Sequence, residues 1–492
     1  LNYLAYAYVT TSYAGIGGPN IAPDDDGPIA TCVANVPGGP VHVLLTDEIA
    51  EHIPGCNMSF RKDVLVEIGG FDPIYRAAGD DVDICWRIQH TGRTIGFHPS
   101  AFVWHHRRNS VKAYWKQQKG YGKAEALLES KWPEKYNGVG HFSWAGKIYG
   151  NGITRPITLG KSKIFHGVWG SALFQSIYQP APGFISHIPL MPEWHLLIGT
   201  LACLAVLGIS WSPLLWVLPL LFVAIIIVFI QAGTSTAKSL ALKKFDTGFQ
   251  YLKYWGLTTI LHTIQPVARL YGRIAYGLTP WRVRGSGTYG LASLIKYNTR
   301  YTYWSEQWKS SEEWLQEIER HLIQSRAWVR RGGNFDQWDL QVSCGFCCST
   351  RGQLTIEEHG SGKQLLRFNC HTHYSKTGIL LSLIFTALSF LAIMDSNYLV
   401  CSILGFIAVT FITAHFINRG MAMYELKKAF LSISFTEERP EPVPTIIPQQ
   451  TDQSEEKPIS VSVLMAKKVA GNMNYLRHDS RQKRILETAL DK

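Results

Sequence analysis

Two pairs of uncharged apolar runs divide the C-terminal part of this chain. Residues 196–231 contain no charge, and Ser210-Trp211-Ser212-Pro213 splits them into two pieces near the minimum length for crossing a bilayer. A helical hairpin is expected over 194–233. Residues 377–394 and 397–418 form a second pair around Asp395-Ser396, so 376–418 is expected to be another hairpin and the chain to make four crossings. Buried core helices or re-entrant segments are the competing reading, strongest for the piece before Trp211. Between the pairs, Tyr254, Leu257, Leu261, Ile264, Ala268 and Tyr271 recur at steps of three and four, with Lys253, Arg269 and Arg273 nearby. Region 234–334 is therefore expected to hold an interfacial helix kinked at Pro266, or an amphipathic helix packed on protein.

Residues 335–375 alternate polar and apolar side chains, as in Trp338-Asp339-Leu340-Gln341-Val342-Ser343 and Gln353-Leu354-Thr355-Ile356, with His359-Gly360-Ser361-Gly362 as a turn. A small β-unit follows. Cys344-Gly345-Phe346-Cys347-Cys348 and Cys370-His371-Thr372-His373 set thiols and imidazoles at short spacing, as zinc sites do. Strand alternation is not expected to aim Cys344 and Cys347 inward together, and a second well-spaced ligand pair is lacking, so no zinc is assigned. Region 419–492 is expected to be a tail: after Phe435 it turns rich in Pro, Glu, Gln and Ser, a linker composition, and basic helical patterning returns from Ser462 without an assignable role.

Composition sharpens the membrane reading. The chain is 46% hydrophobic and 12% aromatic with a formal charge of +11, a balance suited to anionic lipid headgroups and phosphorylated substrates. The basic residues lie beside apolar spans and on no recognisable nucleic-acid module, which argues against nucleic acid as partner. Nine scattered cysteines fit reduced thiols better than a disulfide framework, and no signal-peptide pattern opens the chain. Lys238, Lys243 and Lys244 after the first pair, and Arg419, Lys427 and Lys428 after the second, put those flanks in the cytoplasm; an even number of spans leaves residues 1–190 there too.

Candidate chemistry lies upstream. Gly69-Gly70-Phe71-Asp72-Pro73 ends any preceding helix, and Gly79-Asp80-Asp81-Val82-Asp83-Ile84-Cys85-Trp86-Arg87 resumes one, with Ile84, Cys85 and Ile88 at helical spacing and three carboxylates in the first turn. As structure, Asp80 reads as an N-cap and Asp83 as a dipole-favoured neighbour; as chemistry, the cluster is an acid–base site. Around it stand Pro54-Gly55-Cys56-Asn57-Met58-Ser59-Phe60-Arg61, Gly92-Arg93-Thr94-Ile95-Gly96-Phe97-His98-Pro99, Val103-Trp104-His105-His106-Arg107-Arg108 and Tyr114-Trp115-Lys116-Gln117-Gln118-Lys119-Gly120-Tyr121. In that order and spacing the motifs resemble the acceptor-side half of a family 2 glycosyltransferase, the inverting, nucleotide-sugar-dependent type with a GT-A fold. The likeness covers residues 13–130. After residue 150 the chain looks like the membrane-attached region of one bacterial branch, with Gly277-Leu278-Thr279-Pro280-Trp281-Arg282 as a weaker motif. The implied fold class is an incomplete GT-A-like α/β domain over 1–150, a linker over 151–193, and an α-helical membrane region carrying a small β-rich cytoplasmic unit. A bacterial plasma membrane location follows, with the catalytic domain cytoplasmic.

The resemblance also assigns roles. Asp81 matches the general base, while Asp80 and Asp83 would orient it or touch the acceptor, and like charges so close should raise one apparent pKa. Gln117, Gln118 and Tyr121 match the family's acceptor motif, Q-Q/R-x-x-W, with Tyr in place of Trp. His105, six residues after Pro99, matches a metal-binding histidine of related GT-A enzymes, where Mg²⁺ or Mn²⁺ stabilises the leaving diphosphate; Trp104, His106, Arg107 and Arg108 beside it equally suit a phosphate-facing cluster. Partners are then a nucleotide-sugar donor, a glycan or lipid-linked acceptor, the bilayer, and a partner synthase or transporter. Donor-binding residues are unknown, because the nucleotide half with its D-x-D motif would precede Leu1 and the sequence reads as N-terminally truncated. Asp24-Asp25-Asp26, between Pro23 and Gly27-Pro28, reads as a solvated loop. Two functions are in view: a membrane-anchored glycosyltransferase, or a degenerate, non-catalytic membrane protein that binds glycan, lipid or a partner synthase.

Overall fold

The computed structural model describes residues 1–138, 140–149, 189, 191–241, 243, 245–286, 298–333 and 336–436. All of them belong to one unit, Leu1–Glu437. The expected tail from residue 437 and nearly all of the expected linker 151–193 lie outside the described residues.

The N-terminal region is α/β. Strands β1 (Gly15–Gly17), β3 (Val43–Leu44), β4 (Ile49–His52), β5 (Met58–Phe60), β6 (Ile95–Phe97) and β8 (Lys147–Ile148) form a mixed sheet in the order β5-β1-β6-β4-β3-β8, with β1 parallel to β6 and antiparallel to β5. A separate parallel pair joins β2 (Asn20–Ile21) to β7 (Val103–Trp104). The helices of this region are α1 (Asn2–Thr10), α2 (Pro28–Ala34), α3 (Lys62–Glu67), α4 (Asp80–His90) and α5 (Val111–Lys131). Ile84, Cys85 and Ile88 of α4 are fully buried with Ile53, Ile95 and Phe97, so the helical spacing seen in the sequence is the face that meets the sheet. That docking sets the first turn of α4 beside the end of β4.

Helix α6 (Trp194–Leu207) opens the apolar region and has 14 residues. A tight helical turn, Ser212–Val217, leads into α7 (Leu218–Leu240); α10 (Lys376–Met394) and α11 (Tyr398–Thr436) form the second pair. Among the described residues, three helical segments are long and apolar enough to cross a membrane: Ser212–Leu240, Lys376–Met394 and Tyr398–Ile433. The first segment of the first expected pair is the shorter one: Gly208 and the Ser210–Pro213 turn end α6 at about 21 Å, against a hydrocarbon core of roughly 30 Å. The two turns meet: Trp211 Nε1 donates to Asp395 Oδ2 at 2.8 Å, and Asn397 Nδ2 to the Ser210 carbonyl at 2.6 Å.

Helix α8 (Gly248–Ala275) is one 28-residue helix containing Pro266. It packs on protein along one side, burying Leu261, His262, Gln265, Ala268, Gly272 and Arg273, while Leu252, Ile260, Tyr271 and Ile274 stay exposed. Its crossing with α5 is closest at Gly122 and Gly272. A Cβ on either would overlap backbone of the other helix, that of Arg269 from Gly122 and of Lys119 from Gly272. Glu125 of α5 pairs with Arg269 at 2.7 Å and with Arg273 at 3.5 Å across the same seam.

The β-unit is larger than the 335–375 expected. It is an antiparallel sheet in the order β10-β11-β12-β13-β9, built from β9 (Asn298–Ser305), β10 (Trp328–Arg331), β11 (Leu340–Ser343), β12 (Cys348–Glu358) and β13 (Gln364–Tyr374), with α9 (Ser311–Gln324) against it. Its core is completed by Met421, Leu426, Phe430 and Ile433 from the second half of α11. Cys344 and Cys347 are both buried, since residues 344–347 form the turn between β11 and β12, and strand alternation does not apply there. The turn at Gly360-Ser361-Gly362 forms as expected, all three residues at positive φ.

Candidate active site

The acidic cluster is laid out by the start of α4. Gly79 is the N-cap, in the left-handed region at φ 90°, and a side chain there would also crowd Ala124, Leu128 and Tyr75 at 3.2–3.3 Å. Asp80, read from the sequence as the cap, is instead the first helical residue. Its half-buried carboxyl is raised above the ordinary aspartate value by burial and by Asp81.

Asp81 is held from three directions. Its Oδ1 accepts the Val82 N–H at 2.9 Å, its Oδ2 accepts the Gly55 N–H at 3.1 Å, and His52 Nε2 lies 3.6 Å from Oδ2. Burial pushes the Asp81 carboxyl up, but His52 and the two amides outweigh it and the net direction is down. The like-charge pair thus raises Asp80, not the candidate base. With 23% of its side chain exposed, Asp81 keeps an open edge.

Asp83 faces the other way. It is fully buried, bonded to Arg87 at 2.8 Å, Lys131 at 2.7 Å and the Trp132 indole N–H at 2.9 Å, so the expectation that it touches the acceptor is corrected: it ties α4 to α5. Gln118 is likewise buried. Its amide donates to the Gly38 carbonyl at 3.2 Å and its Oε1 accepts from Gln265 at 3.2 Å, which fixes α5 to α8 and removes it from an acceptor surface. Gln117 is partly exposed on the neighbouring side of the helix. Tyr121 lies with the Arg269 guanidinium 5.9 Å from its ring centre; burial and Asp81 raise its hydroxyl, while Arg269, Arg108 and Arg107 lower it. Cys56, on the loop above Asp81, also senses both Arg107 and Asp81.

His105 sits in a cationic setting. Arg107 Nη1 donates to its Nδ1 at 2.6 Å, which leaves the ring proton on Nε2, and burial together with Arg107, Arg108 and His106 lowers its pKa. That tautomer offers no free lone pair to a cation, and among the described residues no group of three His, Cys, Asp or Glu can hold one. The side chains present do not fit Mg²⁺ or Mn²⁺ at His105. Asp26 is no solvated loop residue either: it bonds His106 and accepts the Arg107 N–H at 2.8 Å, bracing the His105–Arg108 segment.

Two contributors escaped sequence reading. His52 ends β4 two residues before Pro54, and Trp144 lies against it with ring centres 5.6 Å apart. Trp144 also stacks on Phe142 and leans on Trp86, closing an aromatic wall beside His52. No short motif marks either residue.

Residues 42–232 match the model of glycosyl transferase family group 2, a match that implies a GT-A-like α/β fold. The chain is 26% identical over 121 residues to the pre-mycofactocin glycosyltransferase of Mycobacterium tuberculosis H37Rv, covering 24% of this chain and 26% of that protein. It is 27% identical over 79 residues to the probable glycosyltransferase YdaM of Bacillus subtilis 168, covering 16% of this chain and 18% of that protein. The chain thus spans about a quarter or less of the length of these relatives. No solved structure matches.

Proposed function

We propose that the protein is a membrane-anchored glycosyltransferase that moves a sugar from a nucleotide-sugar donor to a hydroxyl acceptor on a glycan or lipid, with inversion and with Asp81 as general base. The observation that supports this most is the state of Asp81: an ionised carboxylate, fixed by two backbone amides and keeping an open edge. In the displacement, the acceptor hydroxyl gives its proton to Asp81 as its oxygen bonds to the anomeric carbon. The bond from that carbon to the diphosphate oxygen breaks, and its electron pair leaves with the nucleotide. Arg107 and Arg108 suit the charge that develops on the leaving group. Gln117 and Tyr121 line the acceptor side. The α/β region is proposed to lie on the cytoplasmic face of a bacterial inner membrane, beside the basic residues that follow α7 and the membrane half of α11.

Asp81→Asn in the full-length protein is expected to retain folding and donor binding, because the amide is nearly isosteric, and to lower turnover about 10² to 10⁴-fold. The measurement is nucleoside diphosphate release from a panel of UDP-, GDP- and dTDP-sugars in detergent, with the anomeric configuration of any product read by NMR. Parent-like turnover in Asp81→Asn would make the non-catalytic membrane binder the better reading.

A further inference from the structure

A buried imidazole set between two oxygen acceptors has few ways to satisfy both. His52 is that residue, with 7% of its side chain exposed. Its Nδ1 lies 3.1 Å from the Val41 carbonyl, which can only accept, so Nδ1 carries a proton. Its Nε2 is buried without a hydrogen-bond partner and lies 3.6 Å from Asp81 Oδ2. In the singly protonated ring, Nε2 would turn a lone pair toward an anionic oxygen. Protonated on both nitrogens, the ring donates to Val41 and stands as a counter-charge to Asp81.

We propose that His52 is the positioning residue for Asp81, a cationic clamp that fixes the carboxylate's rotamer and keeps it ionised while its open edge faces the acceptor. This rests on the reading of Asp81 as the base. The surroundings support the charge assignment. His42, the nearest other imidazole, is depressed to about 4 by burial and by His52 itself, so it stays neutral at working pH. The adjoining Glu51 is turned away and accepts the Gly146 N–H at 2.7 Å. From α4 the acidic groups are Asp81 and, one residue further, the half-buried Asp80; the Trp144 ring covers His52 from the segment after α5. An uncovered pair would be screened by water, whereas this one is shielded on the side of the aromatic wall. Nothing in the P-G-C-N motif announces the role, because His52 is simply the last residue of β4, an interior strand of the sheet.

The test uses full-length protein in detergent, the same nucleotide-sugar panel, and the pH dependence of kcat/KM. Glutamine at position 52 can reach Asp81 without charge, and asparagine can keep the Val41 contact without reaching Asp81. His52→Gln and His52→Asn are expected to lower kcat about 10- to 100-fold, the scale seen when a group that orients a reacting residue is removed, with the KM for the nucleotide sugar little changed. Both should move the acid limb of the profile up by about one pH unit or more, since an opposite charge at this distance depresses a carboxylate by that scale. A role in packing alone would lower the amount of folded enzyme and leave the limb in place. Should neither variant fold, the parent enzyme still decides: its acid limb must lie below the ordinary aspartate value of about 3.9. Variants with the parent's kcat and acid limb, alongside an inactive Asp81→Asn, would overturn the clamp while leaving the glycosyltransferase reading intact. An active Asp81→Asn would remove the glycosyltransferase reading itself.

Discussion

Glu129 on α5 is fully buried and is the anchor for Arg282 at 2.8 Å and for Arg284. Arg282 in turn lies 4.5 Å over the Trp328 ring of the β-unit, and Arg284 N–H donates to the Cys344 carbonyl at 2.8 Å. Removing one member leaves charge stranded in a dry seam. Glu129→Gln is expected to cost about 3–5 kcal/mol, because a broken buried pair leaves its partners uncompensated, and to appear as a lowered Tm in detergent. Asp81 adds a pH term. Its folded carboxyl is depressed, so its stabilising contribution is complete above the unfolded value near 3.9 and is lost as pH falls through the lower folded value. Melting temperatures of the parent should therefore fall more steeply below about pH 4 than those of Asp81→Asn. Sequence alone exposed the D-D-x-D cluster but not its division of labour. Two residues apart on a helix, Asp81 and Asp83 point about 200° apart, so one meets the cleft and the other the core.

Among the elements, α5 and α8 carry the clearest contrast. Glycine inside a helix ordinarily costs about 1 kcal/mol relative to alanine, which favours replacing it. At Gly120 an added Cβ meets nothing within 4 Å, so Gly120→Ala should raise Tm; at Gly122 the Cβ overlaps backbone of α8, and Gly122→Ala should lower it through overpacking on the scale of about 1–3 kcal/mol. The opposite signs test the crossing geometry. Helical spacing in the sequence predicted α8 and left open whether it lay on lipid or protein; one side packs on protein while Leu252, Ile260, Tyr271 and Ile274 stay exposed. Strand β9 and helix α9 were not legible as parts of the β-unit, since the alternation that identified it begins beyond them and their pairing is long-range: Leu366 of β13 faces Tyr303 of β9. His52 was illegible for a similar reason. Its meaning comes from α4, which is distant in sequence.

For the whole molecule, the hydrogen bonds from Trp211 to Asp395 and from Asn397 to Ser210 put both inter-helix turns at one end of the apolar bundle. Cysteines introduced at Ser210 and at Ser396 should accordingly react with an impermeant thiol reagent from the same side of intact cells. Labelling of one from outside and the other only after lysis would contradict that arrangement. The three long apolar segments also imply that the protein stays in membranes through an alkaline carbonate wash and leaves them in detergent.

Helix α11 runs 39 residues, nearly twice what a bilayer needs, and its second half fills the β-unit's core. On the ribosome this imposes an order. Strands β9 to β13 are complete by Tyr374, yet Met421, Leu426, Phe430 and Ile433 are made only after α10 and the membrane half of α11. Until then the sheet has an uncovered apolar face and exposed edges, the kind of surface that attracts chaperones and proteases. Completion of the sheet is thereby tied to its last helix: a chain cut short before Met421 is expected to leave that apolar face uncovered.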